Sequence, residues 1–138
     1  MSVIIKNITA EDTWSLRHQV MWPNEDIDYV KLPEDESGIH YGLFINDELT
    51  AVVSLFINDR EAQFRKLATA VEAQGKGYGT MLLKHLMQEV QTLEVNRIWC
   101  NARADKASFY HRFGLKETAR TFIKKGQSYV VMERPISH

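Results

Sequence analysis

The sequence predicts an α/β (α+β) fold, a mixed and mostly antiparallel central sheet of about seven strands with helices on both faces. Two observations carry this. Read along the chain, the element order is β-α-loop-β-β-β-α-β-α-β-β, in which three hairpin-linked strands precede a β-α-β unit. The composition is that of a globular protein: with 44% apolar and 25% charged residues in 138, disorder is excluded as the main state and one domain, 1–138, is expected.

The first strand is the β-branched run 3–8. Thr9 caps the helix expected over 10–21, with Asp12 in its first turn, and Pro23 stops it. Residues 24–38 are acidic and turn-rich, a loop with one helical turn near 27–30. Strands follow at 40–45 and 49–57, joined by a tight turn at Asn46-Asp47-Glu48. Asn58-Asp59 turns the chain again into a strand over 61–71. Leu82, Leu83, Leu86, Met87, Val90 and Leu93 recur at helical spacing with polar residues between them, the clearest helix in the chain. A strand at 97–102, a short helix at 104–113 ending on Gly114, and strands at 115–123 and 128–134 complete the order.

The charge balance excludes some partners. Seventeen Lys and Arg stand against eighteen Asp and Glu, a net charge of -1, so a broad nucleic-acid surface is not expected. Cys100 is the one cysteine, which rules out an internal disulfide framework and a Cys-based zinc cluster; no metal is expected. The start Met1-Ser2-Val3-Ile4-Ile5-Lys6-Asn7 lacks a signal-like apolar region, and no apolar run reaches the ~18 residues that span a bilayer. No membrane association and a cytoplasmic location are the expectations. Cys100 reads as a small buried filler, Trp14 and Trp99 as core, and Glu34-Asp35-Glu36 as a solvated loop face.

The only glycine cluster is Gly75, Gly77 and Gly79, between a strand and the strongest helix. Glycines there permit positive φ and close approach to a ligand. The helix start adds unpaired N–H groups and the positive end of the dipole, so the loop suits a phosphate or pyrophosphate, with Lys76 nearby. It is not a P-loop, since Gly77 follows Gly75-Lys76 and Ala70 stands where the first glycine belongs. Nor is it a Rossmann fingerprint, since Thr80 fills the third glycine slot. A tight turn without ligand is the alternative on these residues alone.

Gln74-x-x-Gly77-x-Gly79 resembles the Gln/Arg-x-x-Gly-x-Gly/Ala signature of the GNAT superfamily of N-acetyltransferases. The strand Phe64-Arg65-Lys66-Leu67-Ala68-Thr69 before it is similar to that family's. So is the block Cys100-Asn101-Ala102-Arg103-x-x-x-Ala107-x-Phe109-Tyr110-x-x-Phe113-Gly114-Leu115, which resembles the family's Ala-x-x-Phe-Tyr-x-x-x-Gly-Phe. The element order fits as well, and the likeness covers essentially the whole chain.

The resemblance implies a GNAT-like acyl-CoA N-acyltransferase fold and transfer of acetyl from acetyl-CoA to an amine, with CoA as product. It places the CoA pyrophosphate in the loop Gln74, Gly75, Lys76, Gly77, Tyr78, Gly79 and Thr80. It sets the pantetheine arm against the main chain of Leu67, Ala68 and Thr69, where the next strand splays away and leaves a slot for the thioester. Asn101 is expected to bond the pantetheine and Arg103 to approach the distal end of the cofactor. Tyr110 matches the tyrosine beside the thioester sulfur, where a departing thiolate needs a proton or hydrogen bond, and a backbone N–H would polarise the carbonyl. Its alternative is a packed aromatic beside Phe109 and Phe113.

An acceptor ammonium near pKa ~10.4 must lose a proton before attack. Gln63 stands where some members carry a glutamate, leaving Glu61, Glu72, His40, His111 or a water chain. His40 is the expected base, with a structural histidine as its alternative. Arg17, Trp22, Gln63, Arg65 and Tyr129, with Asp26 and Phe122, are expected around a small-molecule or peptide amine. A homodimer is expected from strand edges near the C-terminus. A CoA or acyl-CoA sensor that transfers nothing is the competing function, and a nucleotide-binding turn unrelated to CoA a remote one.

Overall fold

In the computed structural model, which describes residues 2–138, seven strands form: β1 (Val3–Ile8), β2 (Ile39–Ile45), β3 (Glu48–Asn58), β4 (Glu61–Thr69), β5 (Arg97–Arg103), β6 (Lys116–Lys124) and β7 (Gln127–Pro135). The helices are α1 (Ala10–Met21), α2 (Tyr78–Val90) and α3 (Ala107–His111), with 3-10 turns at Ile27–Val30, Asp35–Ser37, Val71–Ala73 and Ala104–Lys106. The strands make one sheet in the order β1-β2-β3-β4-β5-β7-β6. Pairs β1–β2, β2–β3, β5–β7 and β6–β7 are antiparallel and β4–β5 is parallel, the mixed, mostly antiparallel sheet that the element order predicts.

Local chemistry explains the elements. Thr9 and Asp12 form a reciprocal capping box, the Asp12 amide donating to Thr9 Oγ1 at 3.2 Å and the Thr9 amide to Asp12 Oδ2 at 3.1 Å. The turns of all three hairpins hold two central residues at positive φ: Asn46 and Asp47, Asp59 and Arg60, Lys125 and Gly126. That geometry matches the right-handed twist of the flanking strands.

Two differences from the sequence reading have local causes. The strand expected to reach 71 ends at Thr69, because Val71–Ala73 tightens into a 3-10 turn. The helix expected over 104–113 is a 3-10 turn followed by five α residues, too short a segment for a full helix to propagate.

The chain divides into two compact units. In the first, Met1–Phe56 with Lys66–Leu86, side chains alternate across β2. His40 hydrogen-bonds with Ser54, to which Arg17 of α1 also reaches, while its neighbour Tyr41 packs edge-on against His85 of α2 at 5.6 Å. The helices α1 and α2 therefore cover opposite faces of β2. Leu82, Leu83 and Leu86 of α2 are fully buried, each contributing roughly 1.5–3 kcal/mol by burial. In the second unit, Ile57–Arg65 with Met87–His138, α3 packs against β5, β6 and β7. Ile98, Cys100 and Ala102 of β5 are buried, and Cys100 is thus the small buried filler its sequence suggests. Trp14 and Trp99 are half-buried rather than core: Trp14 lies under the Lys31 ammonium and Trp99 under the Arg97 guanidinium. Among the described residues no helix is long and apolar enough to cross a membrane.

Candidate functional site

The glycine loop lies in the first unit. Gly75 and Gly77 sit at φ +79° and +86°, and a Cβ built on either meets nothing within 4 Å. Both need glycine for backbone reasons, and both border open space. Gln74 is a tether: its Nε2 donates to the Thr69 carbonyl at 3.0 Å, tying the loop to the last residue of β4. The Ala70 amide anchors the same corner on the Thr50 carbonyl at 2.9 Å. The start of α2 turns the amides of Gly79 and Thr80 toward the loop, since a helix leaves its first N–H groups without partners inside the helix. Tyr78 itself is buried, while Lys76 is exposed. Room without a Cβ, the positive end of a thirteen-residue helix and one lysine make a cradle whose chemistry fits a pyrophosphate.

Just before this loop, β4 carries an irregularity that the sequence does not announce. Lys66 stands at φ +61° inside a strand. A side chain in the left-handed region costs roughly 1–2 kcal/mol, and such strain collects at functional positions. The left-handed residue interrupts the extended backbone just before Leu67, Ala68 and Thr69.

In the second unit, the β4–β5 register runs from Glu61 with Arg97 to Gln63 with Trp99. Tyr110 on α3 packs against Phe64 at 5.8 Å and Phe109 at 5.1 Å between ring centroids. Its hydroxyl has no hydrogen-bond partner among the described residues, although the ring is mostly enclosed. Burial, and secondarily the neighbouring Cys100 sulfur, push its pKa up to about 12, so it is a firmly protonated donor at neutral pH. Burial likewise pushes the Cys100 thiol up to about 12, which leaves it a poor nucleophile.

Asn101 and Arg103 alternate outward from β5 and are exposed. Arg103 pairs in register with Tyr129, and Tyr129 with Phe122, so the three side chains form a row across β5, β7 and β6. The Phe122 and Tyr129 rings stack at 5.0 Å and 9°. Gln63 is half-buried beside Trp99 in register, and Arg65 is half-buried with an interaction of its own. Both carboxylates near that register, Glu61 and Glu133, are held by Arg97.

Arg17 and His40 come together, but inside a buried cluster. Arg17 meets Asp35 at two points, 2.9 and 3.0 Å, and also donates to the Val30 carbonyl and Ser54 Oγ. Its Nε has no partner, the one such buried side-chain atom among the described residues. His40 is 4% exposed, with Nδ1 at 2.7 Å from Ser54 Oγ and Nε2 at 2.8 Å from the Asp35 carbonyl. A carbonyl only accepts, so Nε2 carries the proton and Nδ1 accepts from Ser54 when the ring is neutral. Burial alone would raise the Asp35 carboxyl, but hydrogen bonds from Arg17, the Leu32 amide and the Trp14 indole, with the Arg17 charge, hold it below the ordinary carboxylate range. The reading of Asp35 as part of a solvated acidic face is thereby corrected: Glu34 and Glu36 are exposed, while Asp35 is 4% exposed and anchors the cluster. Trp22 packs edge-on against Tyr29 at 5.1 Å.

The glycine turn lies between β4 and α2 and Tyr110 on a short helix, as the sequence predicts, and three features carry no signal in the sequence. Lys66 carries no residue signal for a left-handed conformation. The Arg17–Asp35 pair is a contact between residues eighteen apart. The pair of His111 Nε2 with Glu117 Oε1, at 2.5 Å, joins α3 to β6, and the histidine hydrogen bond lowers the Glu117 pKa.

Comparison with known proteins gives a consistent result. The profile of the acetyltransferase (GNAT) family matches residues 7–115. The uncharacterized N-acetyltransferase YitI of Bacillus subtilis (strain 168) is 28% identical over 142 residues, covering 96% of this chain and 95% of that protein. The [ribosomal protein bS18]-alanine N-acetyltransferase of Salmonella typhimurium is 28% identical over 112 residues, covering 75% and 76%. A GNAT family acetyltransferase from Elizabethkingia anophelis, solved with acetyl-CoA bound, shares the fold with a TM-score of 0.75 at 16% identity, covering 97% of this chain and 98% of that one.

Proposed function

The chain belongs to the acetyltransferase (GNAT) family, and from that premise we propose that it moves an acetyl group from acetyl-CoA to a primary amine, of a small molecule or a protein, by direct attack in a ternary complex. The observation that carries the reading is the cradle of Gly75 and Gly77, open where a Cβ would stand and tethered by Gln74 to Thr69. Acetyl-CoA supplies acetyl as a thioester whose leaving group is a thiol of ordinary pKa, about 8.5.

This chain's residues divide the work. Amides of Gln74, Gly75, Lys76, Gly77, Tyr78, Gly79 and Thr80 hold the pyrophosphate, with the Lys76 charge beside them. The main chain of Leu67, Ala68 and Thr69 holds the pantetheine arm, aided by Asn101, and Arg103 serves the distal end. A backbone N–H of the strand that is left-handed at Lys66 is assigned to polarise the thioester carbonyl. Tyr110 hydrogen-bonds the departing sulfur from a hydroxyl that stays protonated, a role that its raised pKa and unpartnered hydroxyl support, and the thiolate takes its proton from solvent.

Trp22, Gln63, Arg65 and Tyr129 serve the acceptor. Arg17 and His40 enter as positioning groups: their polar atoms are engaged with Asp35, Ser54 and carbonyls, and they fix the first helix and its loop on β2 and β3. Gln63 cannot take a proton and Glu61 is tied to Arg97, so the acceptor's proton passes to water. A protein amine as acceptor gains support from the relative named for acetylating an alanine of ribosomal protein bS18, and acetyl-CoA from the neighbour solved with it.

The same lack of a free carboxylate near Gln63 favours a second reading, a sensor that binds acyl-CoA without transfer. One experiment separates the two. The protein is incubated with acetyl-CoA and a panel of amines and peptides, and free thiol is followed. Amine-dependent thiol release supports transfer; a thermal shift with acetyl-CoA and no release across the panel supports the sensor.

A further inference from the structure

The outer edge of the second unit has a chemistry that acetyl transfer alone does not use. β6 ends the sheet and pairs only with β7, so its other edge presents open backbone groups. Eight of its nine residues are exposed, and Ile123 is 74% exposed. Beside it the Phe122–Tyr129 stack borders a groove of about 470 Å³ shared with Ile123 and Ser128. From Thr118 to Val130 the sequence holds Arg120, Lys124 and Lys125 and no acid. No carboxylate pairs with Arg120 or Lys124 among the described residues, and the single acid of β6, Glu117, is held by His111.

We propose that β6 and the Phe122–Tyr129 stack dock an extended acidic segment of a peptide acceptor, whose N-terminal amine is the group acetylated. The inference rests on the acetyl-transfer reading and names its substrate class. An added strand would satisfy the open edge, and its acids would meet Arg120 and Lys124. A second copy of the chain fits worse. In the register centred on Arg120, antiparallel pairing of β6 with itself would set Lys116 against Lys124 and Arg120 against Arg120, like charges that destabilise a ladder, and the register shift between Glu117 and Thr121 interrupts that ladder. The geometry also sets a distance. β7 separates β5 from β6, two strand spacings or roughly 10 Å, which an extended peptide covers in about three residues. The acids of the acceptor therefore follow its amine from about the fourth position on.

The test compares two peptides, Ala-Phe-Gly-Asp-Glu and Ala-Phe-Gly-Lys-Lys, with the full chain at saturating acetyl-CoA, by thiol release. The acidic peptide is expected to have a KM lower by about tenfold, an advantage that shrinks as salt rises. The double substitution Arg120→Glu with Lys124→Glu should invert the preference while leaving acetylation of a tail-less amine unchanged. Equal KM values, or a preference that ignores the double substitution, would overturn the proposal. So would a stable wild-type dimer that Ile123→Lys dissociates, which would give the edge to a second copy. If no amine releases thiol, the transfer reading has failed. Docking is then read directly from the fluorescence anisotropy of a labelled acidic peptide: salt-sensitive binding weakened by the double substitution supports it, and no binding overturns it.

Discussion

Arg17 and Asp35 face each other at two points, Nη1 to Oδ2 at 2.9 Å and Nη2 to Oδ1 at 3.0 Å, with side chains 1% and 5% exposed. The pair joins α1 to the loop before β2, and Ser54 and His40 extend it into the sheet. A charge this deeply buried tolerates no loss of its partner.

Asp35→Ala should therefore destabilise the fold by roughly 3–5 kcal/mol, because it strands the Arg17 guanidinium. The melting temperature should drop by about 10 °C or more. Asp35→Leu combined with Arg17→Met should recover much of that loss. The pH dependence has a definite sign. The folded-state pKa of Asp35 is lowered, so its contribution is present above the unfolded value near 3.8 and is lost as pH falls through the folded one. Urea midpoints should fall below pH 4 in the wild type and respond less in the double variant.

The same pair marks how far the sequence could be read. Features set by neighbours in the chain were legible: the apolar spacing of Leu82, Leu83, Leu86 and Val90, the turn at Asn46-Asp47, and the capping of α1 by Thr9. Gly75 and Gly77 were legible as positions of positive φ, because only glycine takes that φ without strain. Asp35 was not, since its two acidic neighbours are exposed and its partner is supplied by tertiary packing. Nor was the burial of His40, whose ring is fixed by Ser54 on the adjacent strand. Tyr110 was named by motif, but its pKa is raised first by burial, with Phe64 of β4 against its ring, and then by Cys100 of β5, neither of them near it in sequence.

Gly77→Val separates strain from ligand loss. The residue lies at φ +86°, so any Cβ there costs roughly 1–2 kcal/mol of stability. Gly126, at φ +77° in the β6–β7 turn, is equally open and serves as control. Both variants should lose similar stability. Only Gly77→Val should weaken CoA binding, by at least about tenfold in calorimetry, since in the proposed placement its side chain enters the space of the phosphate. Equal affinities in the two variants would remove the loop from the cofactor site.

Tyr110→Phe keeps the ring packing against Phe64 and Phe109 and deletes the donor. Turnover should fall by about a hundredfold, the lower range for loss of one preorganised hydrogen-bond donor, with CoA affinity nearly unchanged. The alkaline side gives a second readout. The folded-state pKa is raised to about 12 from 10.0, so the stability tied to the neutral phenol is complete below pH 10 and lost as pH rises toward 12. Cys100, raised to about 12 from 9.0, acts in the same direction and starts earlier. Tyr110→Phe should blunt the loss of stability between pH 10 and 12 and leave the Cys100 share intact.

Lys66 tests whether the kink in β4 matters for its backbone or its side chain. At φ +61° glycine sits without steric cost, whereas a β-branched residue is disfavoured. Lys66→Gly should keep stability within about 1 kcal/mol of wild type and retain turnover, because relief of strain offsets the added freedom of the unfolded chain. Lys66→Val should cost roughly 1–2 kcal/mol, or else force the strand straight and turn the amide away. In the straightened case turnover drops while CoA affinity, which the proposed function assigns to the glycine loop, changes little. Loss of turnover in Lys66→Gly as well would assign the effect to the lysine ammonium; loss in the valine variant alone would assign it to the left-handed backbone.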